Sequence, residues 1–305
     1  MGIYEIVQKL EAYRKKRNIV KIVKILSPSV IFFIYAFLET YLLKSDSTGL
    51  YVGSFLCLVT AVICLIIFDV IIKSISIEYK YLYKGNFVVK VLNEKLDDVE
   101  YDYDRGFEDR YVREFGIVTM GDEYSSEDYL KASYKGIGFE QADVTIKNRE
   151  DDSDTLIFKG RMFVFDFPYK KVSPVQIFTK FFPYKGTSIG NFIMKKVEME
   201  SEQFNKTFDI KAANEIEAFY LLTPHMMENI VRIKQKYNHV ALNFQDNKLF
   251  LGIWTLKDTF DGNPIRRINY LREKEDVLKE VTVITDIIDA LYLMKDENAN
   301  MDSEL

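Results

Sequence analysis

The longest apolar run in the sequence covers residues 50–72 and reads LYVGSFLCLVTAVICLIIFDVII, with Asp69 as its one charged residue. A helix needs about 20 apolar residues to cross the roughly 30 Å hydrocarbon core of a bilayer. Because lipid offers no hydrogen-bond partners, the backbone of such a segment must satisfy itself, as a single helix does. The run therefore predicts a transmembrane helix, and the rest of the chain can be placed relative to it.

A second apolar run, residues 25–43, precedes the first and is separated from it by the polar stretch 44–49. Pro28 lies near its start, and proline is tolerated in the first turn of a helix. The two runs predict a helical hairpin over residues 25–73. The late start of the first run and the lack of a small-residue cleavage site argue against a cleaved signal peptide.

The first 24 residues are basic, with seven Lys or Arg and two Glu. Their apolar residues follow helical spacing, so we expect a short amphipathic helix. Three interpretations stay open: a helix drawn to anionic headgroups, a helix docked on an acidic domain of the same chain, or a flank that only sets orientation. The apolar stripe consists of Ile3, Ile6, Val7 and Leu10.

The distribution of basic residues predicts the orientation of the hairpin. Lys73, Lys80 and Lys84 follow the second run, whereas the connecting turn has one basic residue, Lys44. Basic residues are enriched on the cytoplasmic side of membrane proteins. We therefore expect a two-pass protein of the cell (inner) membrane with both termini in the cytoplasm.

Two acids and both cysteines lie in the apolar runs. Glu39 and Asp69 fall near opposite ends of an antiparallel hairpin, so an interfacial position explains each, and a transport role is disfavoured. Cys57 and Cys64 are the chain's two cysteines. The soluble part therefore has no cysteine for a disulfide or a zinc site, and both residues are interpreted as small apolar membrane residues.

The rest of the chain is acidic. The total charge is -5, residues 1–24 carry +5 and residues 25–84 cancel, so the remainder carries -10. Such a domain is a poor nucleic-acid binder, because phosphates require clustered Lys and Arg. Residues 74–295 are long enough for one cytoplasmic domain, and the polar residues 296–305 are expected to be a flexible tail.

Alternating apolar residues predict strands in the middle of the chain. Residues 137–146 are expected to form a strand pair or one bent strand. Residues 155–167 carry the strongest hairpin signal, with a bend or a bulge at Lys159 and Gly160. A second hairpin is expected from residues 240–244 and 249–254.

Helices are predicted towards the C-terminus. Thr223 and Pro224 have the residue types of an N-cap and a first helical position, followed by a helix over residues 225–237. Residues 276–293 form an amphipathic pattern, and residues 217–222 resemble a strand. The fold class is therefore α+β: an N-terminal two-helix transmembrane hairpin followed by a largely antiparallel β domain with a few helices.

No catalytic, cofactor-binding or metal-binding residues can be assigned. The sequence lacks phosphate-loop, zinc-protease and nucleophile-elbow motifs. Two histidines, His225 and His239, are too few for a histidine-rich site, and we expect surface roles for both. The acidic stretch 97–109 fails as a calcium loop, because a loop starting at Asp98 has Tyr103 at the sixth position, where glycine is needed. A solvated turn is favoured there, with cation binding left open.

Several short motifs follow one another in the middle of the chain: Tyr101–Gly106, Asp122–Tyr124, Glu127–Tyr129, Tyr134–Gly136, Phe139–Asp143, Phe158–Arg161, Phe163–Phe167, Phe204–Phe208 and Leu222–Pro224. In this order they resemble the bacterial family called Domain of Unknown Function 3137. The resemblance covers roughly residues 80–255 and the hairpin before it. It departs at Lys131-Ala-Ser133, where the family commonly has a glycine. The resemblance implies a two-pass topology and a domain without an established activity, so no catalytic residues can be transferred from it.

The sequence favours a non-catalytic protein-binding or scaffolding module at the inner membrane, because it lacks a catalytic set and combines a membrane tether with an acidic domain. A protein partner or self-association is expected besides the bilayer. The alternative is a lipid- or small-ligand-binding domain with an apolar pocket lined by Phe163, Phe165 and Trp254. A carboxylate-based enzyme comes third, but 46 acidic residues give no basis for choosing a pair.

Overall fold

The computed structural model describes residues 1–40, 47–149, 154–167, 171–180, 182 and 188–301; the side chains of residues 47, 188 and 291–301 lie outside the description. The chain divides into two compact units. The first contains Met1–Val88 and Gly262–Lys274, and the second contains Val89–Asp261 and Glu275–Leu305. The predicted turn residues 44–46 and 150–153, and the tail residues 302–305, lie outside the described residues.

The first unit is built on an antiparallel pair of long helices, α1 (Ile3–Leu38) and α2 (Ser47–Leu82), followed by a π-helical segment, Tyr83–Val88. Both helices are long and apolar enough to cross a membrane. They face each other through Arg17 and Ser76 at one level, and through the salt bridge of Lys24 and Asp69 (2.6 Å) at another. The apolar residues of their outer faces are largely exposed.

The position of Pro28 differs from the expectation that it starts a helix. It lies inside α1, which runs without interruption from the basic N-terminal residues into the apolar run. Proline has no N–H to offer the carbonyl four residues earlier, which here belongs to Lys24. The Ser27 hydroxyl donates to that carbonyl at 2.9 Å. This bond replaces the missing backbone bond, which is why the helix can continue.

Residues 262–274 of the first unit pack on the start of α1 and on the segment that follows the end of α2. Glu11 accepts from the backbone N–H of Ile268 at 3.2 Å. Glu273, which is fully buried, pairs with Arg266 (3.2 Å) and accepts from the Tyr83 hydroxyl (3.3 Å). The chain therefore returns to this unit after the sheet is complete.

The second unit is organised around one antiparallel sheet of nine described strands, in the order β1-β2-β3-β4-β11-β10-β5-β9-β8, with a separate two-stranded ribbon of β6 and β7. The α+β class and the largely antiparallel sheet are thus confirmed. The strands are β1 (Asp97–Asp102), β2 (Glu123–Tyr134), β3 (Ile137–Arg149), β4 (Asp154–Asp166), β5 (Val172–Thr179), β6 (Ser188–Ile189), β7 (Phe192–Ile193), β8 (Lys195–Val197), β9 (Phe208–Ala212), β10 (Val240–Asp246) and β11 (Lys248–Trp254).

The helices of this unit are short except for the last two. Thr223 caps α7 through its hydroxyl, with Pro224 at the first position, and the predicted hairpin appears as β10 and β11, so both predictions are confirmed. The last helix begins at Tyr270, six residues before the predicted start. The helices are α3 (Val89–Leu92), α4 (Asp109–Glu114), α5 (Glu202–Thr207), α6 (Glu215–Leu221), α7 (Pro224–Tyr237) and α8 (Tyr270–Met301).

Both faces of the sheet carry buried apolar side chains. On one face Met162 and Val164 belong to a core with Phe115 and Phe250. Alternate residues of β4, including Phe163 and Phe165, point to the other face, since side chains alternate along a strand. A central sheet covered on both faces has fixed register, because a slip of one residue would exchange the faces.

The hairpin predicted at Lys159 and Gly160 is wrong, since residues 154–166 form one continuous strand. Gly160 pairs with Val144 on one side and Trp254 on the other. A Cβ at Gly160 would lie 2.0 Å from the carbonyl oxygen of Ile253. Glycine is needed here for close approach of β11 and not for a turn.

Two further sequence predictions are corrected. The expected strand at residues 217–222 is helix α6, because the Asn214 side chain accepts from the N–H groups of Ile216 and Glu217 and so starts a helix. The stretch Asp97–Asp102, expected as a turn, is the edge strand β1. Exposed acids are compatible with an edge position, where charge discourages pairing with other chains. Residues 137–149 form one strand, one of the two alternatives.

We expect Gly160→Ala to destabilise the second unit by about 2–3 kcal/mol, because the added methyl group meets rigid backbone and must separate two strands. Gly252→Ala is the matched control in the neighbouring strand. There the nearest atom to a Cβ is the flexible end of Ile117 at 3.2 Å, so the loss should be smaller. Unfolding followed by the fluorescence of the single tryptophan, Trp254, measures both, and equal losses would contradict the interpretation.

Candidate functional site

A bulge in β2 forms the base of a polar site in the second unit. The pairing of β2 with β3 shifts register between Glu127 and Leu130. Within this interval Asp128 has a φ of 58°, and its side chain is fully buried. The left-handed region is uncommon for residues other than glycine, although Asp and Asn tolerate it best. The Asp128 carboxylate accepts a short hydrogen bond from the Tyr101 hydroxyl of β1.

The loop after β1 completes the bulge. The N–H of Tyr129 donates to the carbonyl of Arg105 at 2.9 Å, and the Arg105 guanidinium lies 3.8 Å from the centre of the Tyr129 ring. Ser126 accepts from the N–H of Phe107 (3.0 Å). A Cβ at Gly106 would lie 2.2 Å from the Ser126 hydroxyl oxygen, so only glycine allows the loop this close.

Asp143 lies opposite Glu127 in the register of β2 and β3. Its Oδ2 accepts from both the N–H and the hydroxyl of Thr259, the latter at 2.8 Å. Its Oδ1 has no hydrogen-bond partner among the described residues, although only 5% of the residue is exposed. A buried carboxylate oxygen without a donor is unfavourable unless the group is protonated or meets a ligand.

Arg161 is the buried cation of the site. It pairs with Asp143 in the register of β3 and β4, and only 1% of it is exposed. One terminal nitrogen donates to the backbone carbonyl and to the carboxylate of Glu280 on α8, both at 3.1 Å. The other makes a short hydrogen bond to the side-chain carbonyl of Gln141. A buried ion is tolerated only with such partners.

An open cleft of about 360 Å³ lies above these residues. Oxygen-bearing side chains dominate its lining, and one of the acids, Asp258, also forms a salt bridge with Lys159 at 3.0 Å. The cleft therefore presents a negative surface with hydroxyl groups between the acids. The lining consists of Asp104, Ser125, Ser126, Glu127, Asp143, Thr145 and Asp258.

Burial dominates the electrostatics of the site. It raises the pKa of Asp143 to about 7, and the opposing effects of Arg161 and of the Thr259 hydrogen bonds only partly restore the ionised form. Burial also lowers the pKa of Arg161, opposed by Glu280 and Asp143. The Tyr101 hydroxyl has its pKa raised, first by burial and then by the charge of Asp128, so it stays a donor.

The aromatic residues proposed for an apolar pocket do not line one. Phe163 and Phe165 are fully buried and stack on each other at 5.7 Å. Trp254 packs against the core of the opposite face, with its ring 6.5 Å from that of Phe158. Since the strand separates them, the three side chains cannot share a cavity. They pack in the cores of the sheet.

The other residues considered from sequence stay apart from the cleft lining. His225 lies in the first turn of α7, and His239 precedes β10 with its ring 6.3 Å from Trp254. Cys57 and Cys64 are free thiols in α2. Asp69 is paired with Lys24. Among the described residues, no group of three or more His, Cys, Asp or Glu is arranged to hold a metal ion.

The fold and the site define a class of protein: an antiparallel α+β domain with an acidic cleft, carried by a chain with two helices that can cross a membrane. The chain's residues 156–293 match the family described as protein of unknown function (DUF3137), which confirms the predicted family. The matched region begins and ends later in the chain than the predicted region, which was roughly residues 80–255. Arg161, Asp258 and Glu280 lie inside it, whereas Asp104 and Asp143 precede it.

No curated protein matches the sequence. Among solved structures, the chain is similar to the crystal structure of the mycobacterial trehalose monomycolate transport factor A, with 10% identity and a TM-score of 0.35. The similarity covers 68% of this chain and 93% of that one. A likeness of this size carries no argument about function.

The raised pKa of Asp143 makes stability pH-dependent. In the unfolded chain this carboxyl loses its proton near pH 4, whereas the folded protein retains it until about pH 7. The contribution of the neutral carboxyl is therefore complete below pH 4 and is lost as the pH rises through 7. Asp143→Asn, which is neutral throughout, should gain about 2–4 kcal/mol relative to wild type between pH 4 and pH 8.

The measurement is unfolding of the full chain in mild detergent, followed by Trp254 fluorescence at several pH values. Other titrating groups cancel in the difference between variant and wild type. The exposed Asp209 provides the control, and the pH-dependent gain of Asp143→Asn should exceed that of Asp209→Asn, because Asp143 is buried and Asp209 is not. A flat difference for Asp143→Asn would mean that the carboxyl is ionised in the folded protein.

Proposed function

We propose that the chain is a membrane-anchored protein whose cytoplasmic domain binds a protein partner and does not catalyse a reaction. The acidic cleft carries this proposal. Carboxylates form strong charge-assisted hydrogen bonds with Lys and Arg, and the cleft volume of about 360 Å³ suits a basic side chain. The partner is therefore a protein with an exposed basic segment.

The orphan oxygen of Asp143 supports the same proposal. A Lys or Arg side chain entering the cleft would supply the donor that Asp143 Oδ1 lacks among the described residues. Its positive charge would also favour the ionised carboxylate. Ser125, Ser126 and Thr145 add hydroxyl groups that can accept from the same cation.

Acid–base catalysis is a second candidate, favoured by one observation. A carboxyl with a pKa of about 7 that lines an open cleft suits proton transfer near neutral pH. Binding ranks above it because Thr259 holds one oxygen of Asp143 with two hydrogen bonds, as is usual for a positioned carboxylate.

For the membrane we propose that residues 25–73 insert as a hairpin in the cell (inner) membrane, with both termini cytoplasmic. Support comes from the two apolar helices and from the basic residues that flank them. Residues 1–24 then form the basic cytoplasmic part of α1, residues 74–295 the cytoplasmic domain, and residues 296–305 the tail.

The binding proposal predicts that a photo-crosslinking residue at the exposed Ser125 captures a specific partner in cells. Neutralising the cleft with D104N/E127Q/D258N should reduce the crosslink at least fivefold, because the opposite charge that holds the basic segment is removed. A product of twice the chain mass would identify a second copy as the partner.

The control variant E198Q/E202Q/E275Q removes the same number of charges from exposed positions elsewhere in the second unit. It should leave the crosslink unchanged, which separates the cleft from the general negative charge of the domain. A crosslink that survives in the cleft variant, with the protein folded as judged by its thermal unfolding, would refute the proposed site.

The orientation is tested by labelling single cysteines in intact cells with a membrane-impermeant maleimide. Cys57 and Cys64 are first replaced by alanine. Ser47→Cys, at the start of α2, should be labelled from outside, and Ser303→Cys only after the membrane is permeabilised. External labelling of the Ser303 variant would reverse the proposed topology.

A further inference from the structure

The seam between α1 and α2 carries a cluster of cations bounded by two polar contacts. At one end the Arg17 Nε donates to the Ser76 hydroxyl at 3.1 Å, and at the other Lys24 pairs with Asp69 at 2.6 Å. In both contacts the two residue numbers add up to 93. This is expected for two antiparallel helices that keep the same register at both levels. The two levels are seven residues, or about 10.5 Å, apart along the helices.

Two lysines lie between these levels on the sides of the helices that face each other. Lys21 follows Arg17 by four residues and precedes Lys24 by three, and Lys73 has the same relation to Asp69 and Ser76. Residues three and four apart share a helix face. Lys21 is half-buried, whereas Lys73 is exposed.

The charge of this cluster is not neutralised within the described part of the first unit. Residues 12–38 and 70–77 contain no Asp or Glu, and the adjacent acid, Asp69, is paired with Lys24. Lys21 and Lys73 have no ion pair among the described residues. The Arg17 Nη1 nitrogen is buried and has no hydrogen-bond partner there. These three cations therefore have no anionic partner among the described residues.

The surroundings of the cluster indicate what kind of anion it meets. Exposed apolar residues, 58–64% accessible, lie within four positions of Arg17, Lys21 or Lys73 in the sequence: Ile19 and Ile22 on α1, and Val70 and Ile77 on α2. An anion held here lies at the edge of a continuous apolar surface. This combination suits an amphiphile with a negatively charged head and acyl chains, because the chains cover the isoleucines while the head meets the cations.

We propose that Arg17, Lys21 and Lys73 form a binding site for the phosphate of one anionic phospholipid, in the leaflet next to the N-terminal part of α1. Arg17 is oriented by its hydrogen bond to Ser76, and one lysine comes from each helix. The site rests on the proposed membrane insertion of the hairpin but not on the cleft.

The test is native mass spectrometry of the full chain in mild detergent with equal amounts of phosphatidylglycerol and phosphatidylcholine. We expect one phosphatidylglycerol to be retained with a preference of tenfold or more, given about fivefold for each basic residue near a charged surface. R17Q/K21Q/K73Q should abolish the preference, and the charge-conserving K21R/K73R should keep it.

K195Q/K196Q/K206Q removes three exposed lysines of the second unit and is the charge-matched control, which should retain the preference. Retention of wild-type selectivity by R17Q/K21Q/K73Q would overturn the site, provided that its helical content by circular dichroism equals that of wild type. Displacement of the lipid by 10 mM inorganic phosphate would also overturn it, since the ligand would then be free phosphate. Failure of the chain to partition into membranes at all would refute the hairpin proposal separately.

Discussion

The guanidinium of Arg161 is the group on which the soluble unit depends most. A cation with 1% exposure is stable only if protein groups replace its water, and these come from Gln141 on β3 and Glu280 on α8. Removing one partner of such a buried pair typically costs about 3–5 kcal/mol. The requirement therefore fixes α8 against the sheet and fixes the register of β3 with β4, where Asp143 faces Arg161.

That register explains how the cleft arises. Asp143 is held on the same strand pair as the buried cation, while the bulge takes Asp128 and Tyr129 out of the regular pairing of β2 with β3. The left-handed residue of the bulge is held by the Tyr101 hydroxyl bond and by the loop that closes over Ser126. Strained residues of this kind are common beside functional sites. The polar network therefore leaves acidic side chains at the surface of the cleft. It also supplies hydrogen bonds to the buried carboxylates of Asp128 and Asp143.

Parts of this arrangement could be read from the sequence, because they depend on local signals. The capped helix α7 and the hairpin of β10 and β11 follow from neighbouring residues. Gly160 was misread as a bend because its reason for being glycine, the Ile253 carbonyl, is distant in sequence. The cleft was unpredictable for the same reason. Its acids come from a loop, two strands and the segment after β11, and only the register unites them.

The separation of charge along the chain decides what each unit can attract. In the first unit, acids such as Glu11, Asp69 and Glu273 are each paired with a basic residue, so the surplus near Lys21 is positive. In the second unit the buried cation is held by Gln141 and Glu280, and acids collect at an open cleft. Electrostatic attraction between exposed groups is screened beyond about 8 Å at physiological salt. The positive charge near Lys21 and the negative charge of the cleft therefore each act over a short range. The total charge of -5 does not describe either region.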